Sequence, residues 1–334
     1  MKVLVTGSSG FIGGALCRAL CAREGYEVVA FHRPSSTLRL LEDLPVQHAI
    51  GDLTQPATLQ AAMSGVEVVF HAGALLGTSQ PGRSYAVTVQ GTQSVLQAAR
   101  VAGVRRVVHT SSVAALGVPE AGRSSGRGLL TENHAWNYRP DYWPYGYAKY
   151  LAELEVQRAV SLGQDVVVVN PSLVFGAGDI YRQSNSPVVQ VARQNLPFIT
   201  EAGVNVVHLE DVVEGHLAAL ERGKCGERYI LGGENLTVEQ LVKLIAELAG
   251  VTPPSLMLPP GLVRSLSGVF GVFQSFLQGP VSIQELRLAG YYFYYETEKA
   301  RLELGLPRPR PAREALSAAL DWFTRVGAVK PKAN

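Results

Sequence analysis

Short apolar runs rich in β-branched residues recur along the first half of the chain, at 3–5, 28–31, 46–50, 66–70, 107–110 and 166–169. Runs this short, without a polar residue at every second place, predict strands buried on both faces of a parallel sheet. Between them, apolar positions return at helical spacing over 11–23, 58–63, 88–102 and 145–162, which predicts amphipathic helices. Strand–helix alternation repeated this often predicts right-handed βαβ units in a doubly wound α/β sheet.

The pattern loosens after about residue 175. Helical spacing reappears at 188–193, 210–222, 237–248 and 312–326, strand-like runs at 204–208 and 228–231, and prolines punctuate 253–260. The expected organisation is a dinucleotide-binding domain over 1–175, extended by parts of 203–232, and a smaller, interleaved C-terminal substrate lobe over most of 176–330. A stripe of Leu262, Leu266, Phe270, Phe273 and Leu277 runs at helical spacing and reads as core.

Composition narrows the class. The chain has 334 residues, 47% hydrophobic and 17% charged, enough apolar material for two cores and too much for a disordered chain. The 30 Lys and Arg against 28 Asp and Glu leave a net charge of +2 without a basic cluster, so no nucleic-acid partner is expected. Three cysteines make no disulfide framework and point to a reducing compartment. Neither an export signal nor a membrane span is legible, so the expected location is cytoplasmic. Cys17 and Cys21 share a helix face and read as packing, and His71 and His208 as hydrogen-bonded structural residues; no metal site is expected.

The chemistry concentrates at four places. Gly7, Gly10 and Gly13, with Ser9, Phe11 and Ile12 between them, stand directly after a strand and open a helix. Glycines there permit a tight turn and close approach of a pyrophosphate to the free amides of the helix N-terminus, the Rossmann arrangement. The second strand ends in His32-Arg33, and no Asp or Glu lies between Val28 and Leu41. An acidic residue at that place suits the ribose of NAD, whereas a guanidinium suits the 2′-phosphate of NADP, so NADP(H) is the expected cofactor and NAD(H) the alternative. Tyr145 and Lys149 are one helical turn apart, where the ammonium can favour the ionised phenol. Thr110, Ser111 and Ser112 end a strand at the carboxyl edge where such sheets bind ligands. A second Tyr–Lys pair, Tyr295 and Lys299, lies outside the βαβ region and reads as accidental.

Taken together, these residues resemble the extended short-chain dehydrogenase/reductases, of the NAD-dependent epimerase/dehydratase superfamily, over nearly the whole chain. The similarity includes Gly51-Asp52-Leu53 as an adenine-side turn, His71-Ala72-Gly73-Ala74 after the fourth strand, the run from Tyr145 to Glu153, and Pro171-Ser172-Leu173-Val174 beside the nicotinamide. The runs 207–212 and 226–237 are similar to the dihydroflavonol-reductase-like and hopanoid-associated sugar epimerase-like branch. The resemblance implies Ser112, Tyr145 and Lys149 as catalytic residues. It implies cofactor contacts from Gly7, Ser9, Gly10, Phe11, Ile12, Gly13, His32, Arg33, Asp52, Leu53, Ala72, Gly73, Ala74, Thr110, Tyr145, Lys149, Pro171, Leu173 and Val174. It also implies a homodimer.

Two positions depart from the family's pattern: Thr88 where many relatives carry Asn, and Leu173 where nucleotide-sugar epimerases carry Asn. The expected activity is NAD(P)-dependent reduction of a carbonyl, or oxidation of the matching alcohol, on a small to medium apolar substrate. The alternatives are a nucleotide-sugar epimerase or dehydratase with retained NAD, and a non-catalytic NADP-sensing protein. The segments expected to line the substrate pocket, 117–143, 176–197 and 253–295, hold no decodable motif, although Trp136, Tyr142, Trp143, Phe198 and Tyr291 suit an apolar ligand.

Overall fold

Val166 to Val169 are buried without exception, the odd-numbered pair in the core on one side of the sheet and the even-numbered pair in the core on the other. A strand covered on both faces needs no polar positions, which is why this run shows no alternation. The computed structural model describes residues 1–75, 81–120, 128–181, 186–265 and 283–330.

Six parallel strands carry the first half: β1 (Lys2–Thr6), β2 (Glu27–His32), β3 (Gln47–Ile50), β4 (Val68–His71), β5 (Arg106–Thr110) and β6 (Val166–Pro171). Helices α1 (Phe11–Cys21), α2 (Pro56–Ala62), α3 (Pro81–Tyr85), α4 (Gly91–Val101) and α5 (Pro144–Ser161) lie between them. Later come β7 (Leu173–Phe175), α6 (Pro187–Ala192), β8 (Ile199–Thr200), β9 (Gly203–His208), α7 (Leu209–Arg222), β10 (Arg228–Leu231), β11 (Glu234–Thr237), α8 (Val238–Ala249), β12 (Met257–Leu258), α9 (Ile283–Arg287), α10 (Glu298–Glu303) and α11 (Ala312–Arg325).

Among the described residues the main sheet has seven strands in the order β3-β2-β1-β4-β5-β6-β10, all parallel. This is the Rossmann order, and it reverses between β1 and β4. The α1 and α7 side of the sheet buries Val3, Val5, Leu16, Val108 and Leu217; the α4 and α5 side buries Leu4, Val69, Val95, Val107 and Val156. A separate core joins β7, β9, α6, α8 and α11 through Phe175, Val189, Val206, Ile245, Leu316 and Phe323. Here β9 pairs in parallel with β7 and antiparallel with β11, while β8 pairs with β12. No helix among the described residues is long and apolar enough to cross a membrane.

Two expectations need correction. The helix expected over 88–102 does not start as one: a π-helical turn, Ala86–Gln90, precedes α4. In that wider turn the Thr88 hydroxyl accepts from Leu75 N (3.3 Å), and Thr92 Oγ1 donates back to Thr88 O (2.6 Å). In the stripe expected to be core, Leu262 is 49% exposed, because the interior-facing place is taken by its neighbour Val263. Leu266, Phe270, Phe273 and Leu277 lie outside the described residues, as do 121–127, 182–185 and 266–282 of the expected substrate segments.

The second core sets a stability prediction. Phe323 is 1% exposed within it, so Phe323→Ala is expected to cost about 3–5 kcal/mol of unfolding free energy. Leu302, 65% exposed on α10, is expected to tolerate alanine within about 0.5 kcal/mol. Urea unfolding of the two variants measures both.

Candidate active site

The turn between β1 and α1 is possible only with glycine at two places. Gly7 has φ +67°, and a Cβ there would stand 2.7 Å from Gly73 N and 2.8 Å from the Ala72 carbonyl. At Gly13 a Cβ would overlap the Gly7 carbonyl oxygen. Gly10 N donates to Gly7 O (2.9 Å), closing the turn, and Gly10 caps α1, whose first turn holds no acidic residue. Free amides and positive helix potential therefore face the crevice where the strand order reverses, flanked by Gly7 and by Ala72, Gly73 and Ala74. Ser9 is buried in the turn, while Phe11 and Ile12 stand half-buried at the head of α1. A bare backbone cradle and an unopposed helix terminus fit a dinucleotide pyrophosphate.

At the ends of β2 and β3, Arg33 is exposed and Asp52 half-buried. Burial pushes the Asp52 carboxyl up. Hydrogen bonds from Thr54 N (2.9 Å) and Thr54 Oγ1 (2.7 Å), with the charges of Arg33 and Arg83, outweigh it, and the group titrates below its usual range. Leu53 packs under Gly73. His32 Nδ1 donates to Arg33 O (3.0 Å), so its Nε2 accepts from His48 Nδ1 (3.0 Å). The His32 ring is thus bound across the sheet edge to β3.

The carboxyl end of β5 meets α5. Ser112 caps a 3₁₀ turn (Val113–Leu116), its hydroxyl accepting from Ala114 N (3.2 Å), a bond that does not use its own O–H. Asn170 Nδ2 donates to Ser112 O (2.9 Å). Lys149 is buried, its Nζ donating to Thr110 O (2.9 Å); burial pushes the ammonium down to about 8 although the Glu153 carboxylate works the other way. Tyr145 stands half-buried one turn earlier on the same helix. Thr110 offers the site its carbonyl rather than its side chain, whose Oγ1 donates to His216 Nε2 (2.8 Å) because His216 Nδ1 donates to Val212 O (2.7 Å).

Below Lys149 lie two buried imidazoles that sequence reasoning did not connect to it. Thr92 Oγ1 gives its proton to Thr88 O, so His71 Nε2 donates to Thr92 Oγ1 (3.0 Å) and His71 Nδ1 accepts from Thr6 Oγ1 (2.7 Å). Burial first, then the Lys149 charge, pushes His71 down to about 3. His109, whose ring lies 5.2 Å from that of His71, is also held neutral by burial. A second missed group is the carboxylate of Glu153, which accepts from Ser111 Oγ (2.5 Å), Asn170 Nδ2 (2.7 Å) and Arg228 Nη1 (3.0 Å). Its sequence signal was the four-residue spacing from Lys149; Asn170 and Arg228 carried none.

Beside the junction of β5 and α5 runs a continuous aromatic array. Trp136 packs on Trp143 (6.0 Å between centroids), Tyr147 (5.7 Å) and Tyr150 (6.0 Å), and Trp143 continues to Phe293 (5.6 Å), Tyr291 and Tyr138. Tyr142 joins through Tyr138, whereas Phe198 is in no ring pair among the described residues. A Cβ at Gly146, next to Tyr145, would meet Trp136, Trp143 and the Ala114 carbonyl within 2.8–2.9 Å, so the array abuts both α5 and the turn after Ser112. On the other flank, buried Pro171 ends β6; Leu173 packs on the second core and Val174 on the first. The accidental pair is committed elsewhere: Tyr295 is buried, and Lys299 Nζ donates to Glu227 Oε2 (2.6 Å) and Arg228 O (3.0 Å).

Residues 3–232 match the model of the NAD dependent epimerase/dehydratase family. The chain is 34% identical to a putative dihydroflavonol 4-reductase of Synechocystis, covering 98% of this chain and 95% of that protein. It is 32% identical to a sterol demethylase protein B of Methylococcus capsulatus, covering 98% and 100%. Its fold superposes on the crystal structure of gox2253 with a TM-score of 0.84 at 34% identity, over 98% and 99% of the two chains. With a glycine cradle at the sheet's switch point and these similarities along its length, the chain belongs to the NAD dependent epimerase/dehydratase family of extended short-chain dehydrogenase/reductases and is an NAD(P)-dependent oxidoreductase.

Proposed function

We propose that this enzyme reduces a carbonyl, or oxidises the matching alcohol, on a small to medium apolar substrate, with NADP(H) as the preferred cofactor and Ser112, Tyr145 and Lys149 as its catalytic residues. The observation that carries this reading is the junction of β5 and α5. A donor-competent Ser112, a buried ammonium at Lys149 and the Tyr145 phenol gather at the sheet's carboxyl edge, with an aromatic array against them.

When bound, the nicotinamide supplies or takes up the hydride. The pyrophosphate is held by the turn of Gly7, Ser9, Gly10 and Gly13 at the head of α1, and the adenosine end by Leu53, Asp52, His32 and Arg33. Ala72, Gly73, Ala74, Pro171, Leu173 and Val174 border the nicotinamide half. In reduction, Ser112 donates a hydrogen bond to the substrate oxygen and Tyr145 delivers the proton that makes it a hydroxyl. Lys149 binds the nicotinamide ribose and stabilises the phenolate left behind. In alcohol oxidation the same phenolate takes the proton back.

The array of Trp136, Trp143, Tyr291 and Phe293 favours a flat apolar substrate, in keeping with relatives named for a dihydroflavonol and a sterol. Leu173, packed into the second core, supplies no polar group for a nucleotide sugar, which weighs against the epimerase reading. An NADP sensor needs no proton donor beside its cofactor. The reading includes a division of labour between 1–175, extended by parts of 203–232, and a substrate lobe within 176–330. It also includes a cytoplasmic homodimer paired through α4 and α5, which expose Val101 and Leu154, with Leu162 exposed directly after α5.

Tyr145→Phe is expected to bind NADPH normally and to lose about 10²–10⁴-fold in turnover of an identified carbonyl substrate, since only the proton donor is gone. Tyr295→Phe is expected to retain its rate. Full activity in Tyr145→Phe would remove the trio from the reaction.

NADPH is expected to bind at least several-fold tighter than NADH, and Arg33→Asp to reverse the order, because a carboxylate there repels the 2′-phosphate that a guanidinium attracts. Calorimetric titration of both cofactors reads the ratio; equal affinities in the unmutated protein contradict the preference.

A net reductase exchanges its cofactor each turnover, so the purified protein is expected to release less than stoichiometric nucleotide on denaturation. A full equivalent of NAD in the supernatant would support the epimerase instead.

A further inference from the structure

The last residue of β5 and the residue directly after it hold two side chains of one helix. Thr110 O accepts from Lys149 Nζ (2.9 Å), and the next residue, Ser111, donates through Oγ to Glu153 Oε1 (2.5 Å). Lys149 and Glu153 are four apart on α5, on the same face and both buried. Glu153 is far better held than a surface carboxylate: Asn170 Nδ2 is the second donor to Oε1 (2.7 Å) and Arg228 Nη1 binds Oε2 (3.0 Å). Arg228 is itself oriented by its other arm, Nη2, which donates to His134 O (3.0 Å).

We propose that Glu153 is a positioning residue that acts through Lys149: its carboxylate, locked by Ser111, Asn170 and Arg228 one helical turn beyond Lys149 on the same buried face, supplies the negative charge that complements the ammonium the cofactor needs. This rests on the reading of Lys149 as a cofactor-binding residue. The ion pair that Glu153 makes with Arg228 (3.0 Å) is weak evidence of a stabilising role, because desolvation of both ions offsets their attraction. Lys149 faces Tyr145 and Glu153 from its own helix, His71 from β4 and His109 from β5, with Arg228 of β10 beyond Glu153. Burial holds both imidazoles neutral at neutral pH and also disfavours the ammonium. Glu153 is the charge that opposes this loss.

The sign follows. Lys149 titrates from about 8 in the cofactor-free protein, so its binding contribution is full below that pH and is lost as pH rises through it. Without the Glu153 charge, the loss begins at lower pH.

The test is NADPH affinity, read by nucleotide fluorescence from pH 6 to 10, in the unmutated protein and three variants. The unmutated protein is expected to weaken above about pH 8. In Glu153→Gln the break is expected about one pH unit lower, giving about tenfold weaker binding at high pH and nearly equal binding at pH 6. Should Gln leave Arg228 stranded and the chain unfolded, the double variant Glu153→Met with Arg228→Met removes both charges together. It is expected to fold and to move the break in the same direction by less. Lys149→Met should bind more weakly at pH 6 and show no such break. A break unmoved in every folded Glu153 variant, while Lys149→Met abolishes it, overturns the proposal. A Lys149→Met profile identical to that of the unmutated protein overturns instead the cofactor reading on which it rests.

Discussion

An ammonium group buried at the carboxyl edge of a parallel sheet is the constraint around which this molecule is arranged. Among the described residues Lys149 Nζ donates to one acceptor, the Thr110 carbonyl at the end of β5, and a cation so enclosed needs both that acceptor and a compensating charge nearby. For the carbonyl to be free, β5 must stop pairing at Thr110 and turn; Ser112 provides the turn by capping the 3₁₀ segment. For the charge to be present, α5 must run inward for at least two turns with Lys149 and Glu153 on its covered face. Ser111 and Asn170 then stitch that face to the ends of β5 and β6.

The same economy governs the other half of the crevice. The Gly7 backbone lies against Ala72 and Gly73 so closely that no side chain fits between the ends of β1 and β4. This contact holds the head of α1 at the place where the strand order reverses, beside the end of β4, which pairs with the strand whose Thr110 carbonyl binds Lys149. Beneath them, Thr6, His71, Thr92 and Thr88 form a hydrogen-bonded line with every proton assigned, ending in the π-helical turn ahead of α4. Thr88, standing where many relatives carry Asn, is thereby built into the scaffold through both its hydroxyl and its carbonyl.

The region beyond β6 contributes shape more than charge. Its core of Phe175, Val206, Ile245 and Phe323 is separate from the two sheet cores, and isolated bridges pair Leu130 with Tyr295 and Gly203 with Tyr292, drawing the 128–143 segment and the 291–295 segment together. Their rings meet at the head of α5, where Gly146 leaves room for two indoles. The aromatic wall thus depends on a glycine within α5, the helix that carries Tyr145 and Lys149.

Residue order alone determined the features whose physical need is local. Buried strands need unbroken β-branched runs, a tight strand-to-helix turn needs glycines at set places, and a Tyr–Lys pair needs one helical turn, so β1, β2, β4, β5, β6, the α1 turn and the placing of Tyr145 and Lys149 on one helix were legible. The strands β7, β8, β11 and β12 were not, being two to four residues long and formed by partners far away in the chain. Nor was the company that Lys149 keeps. Glu153 meets Arg228 because β10 pairs with β6 in the register Arg228 to Val168 and Ile230 to Asn170, and the two residues are 75 apart. An isolated Arg in a sequence carries no sign of which carboxylate it will face. Only the folded sheet, by aligning strand ends that lie far apart in the chain, decided which charges would share one low-dielectric pocket and therefore act on one another strongly.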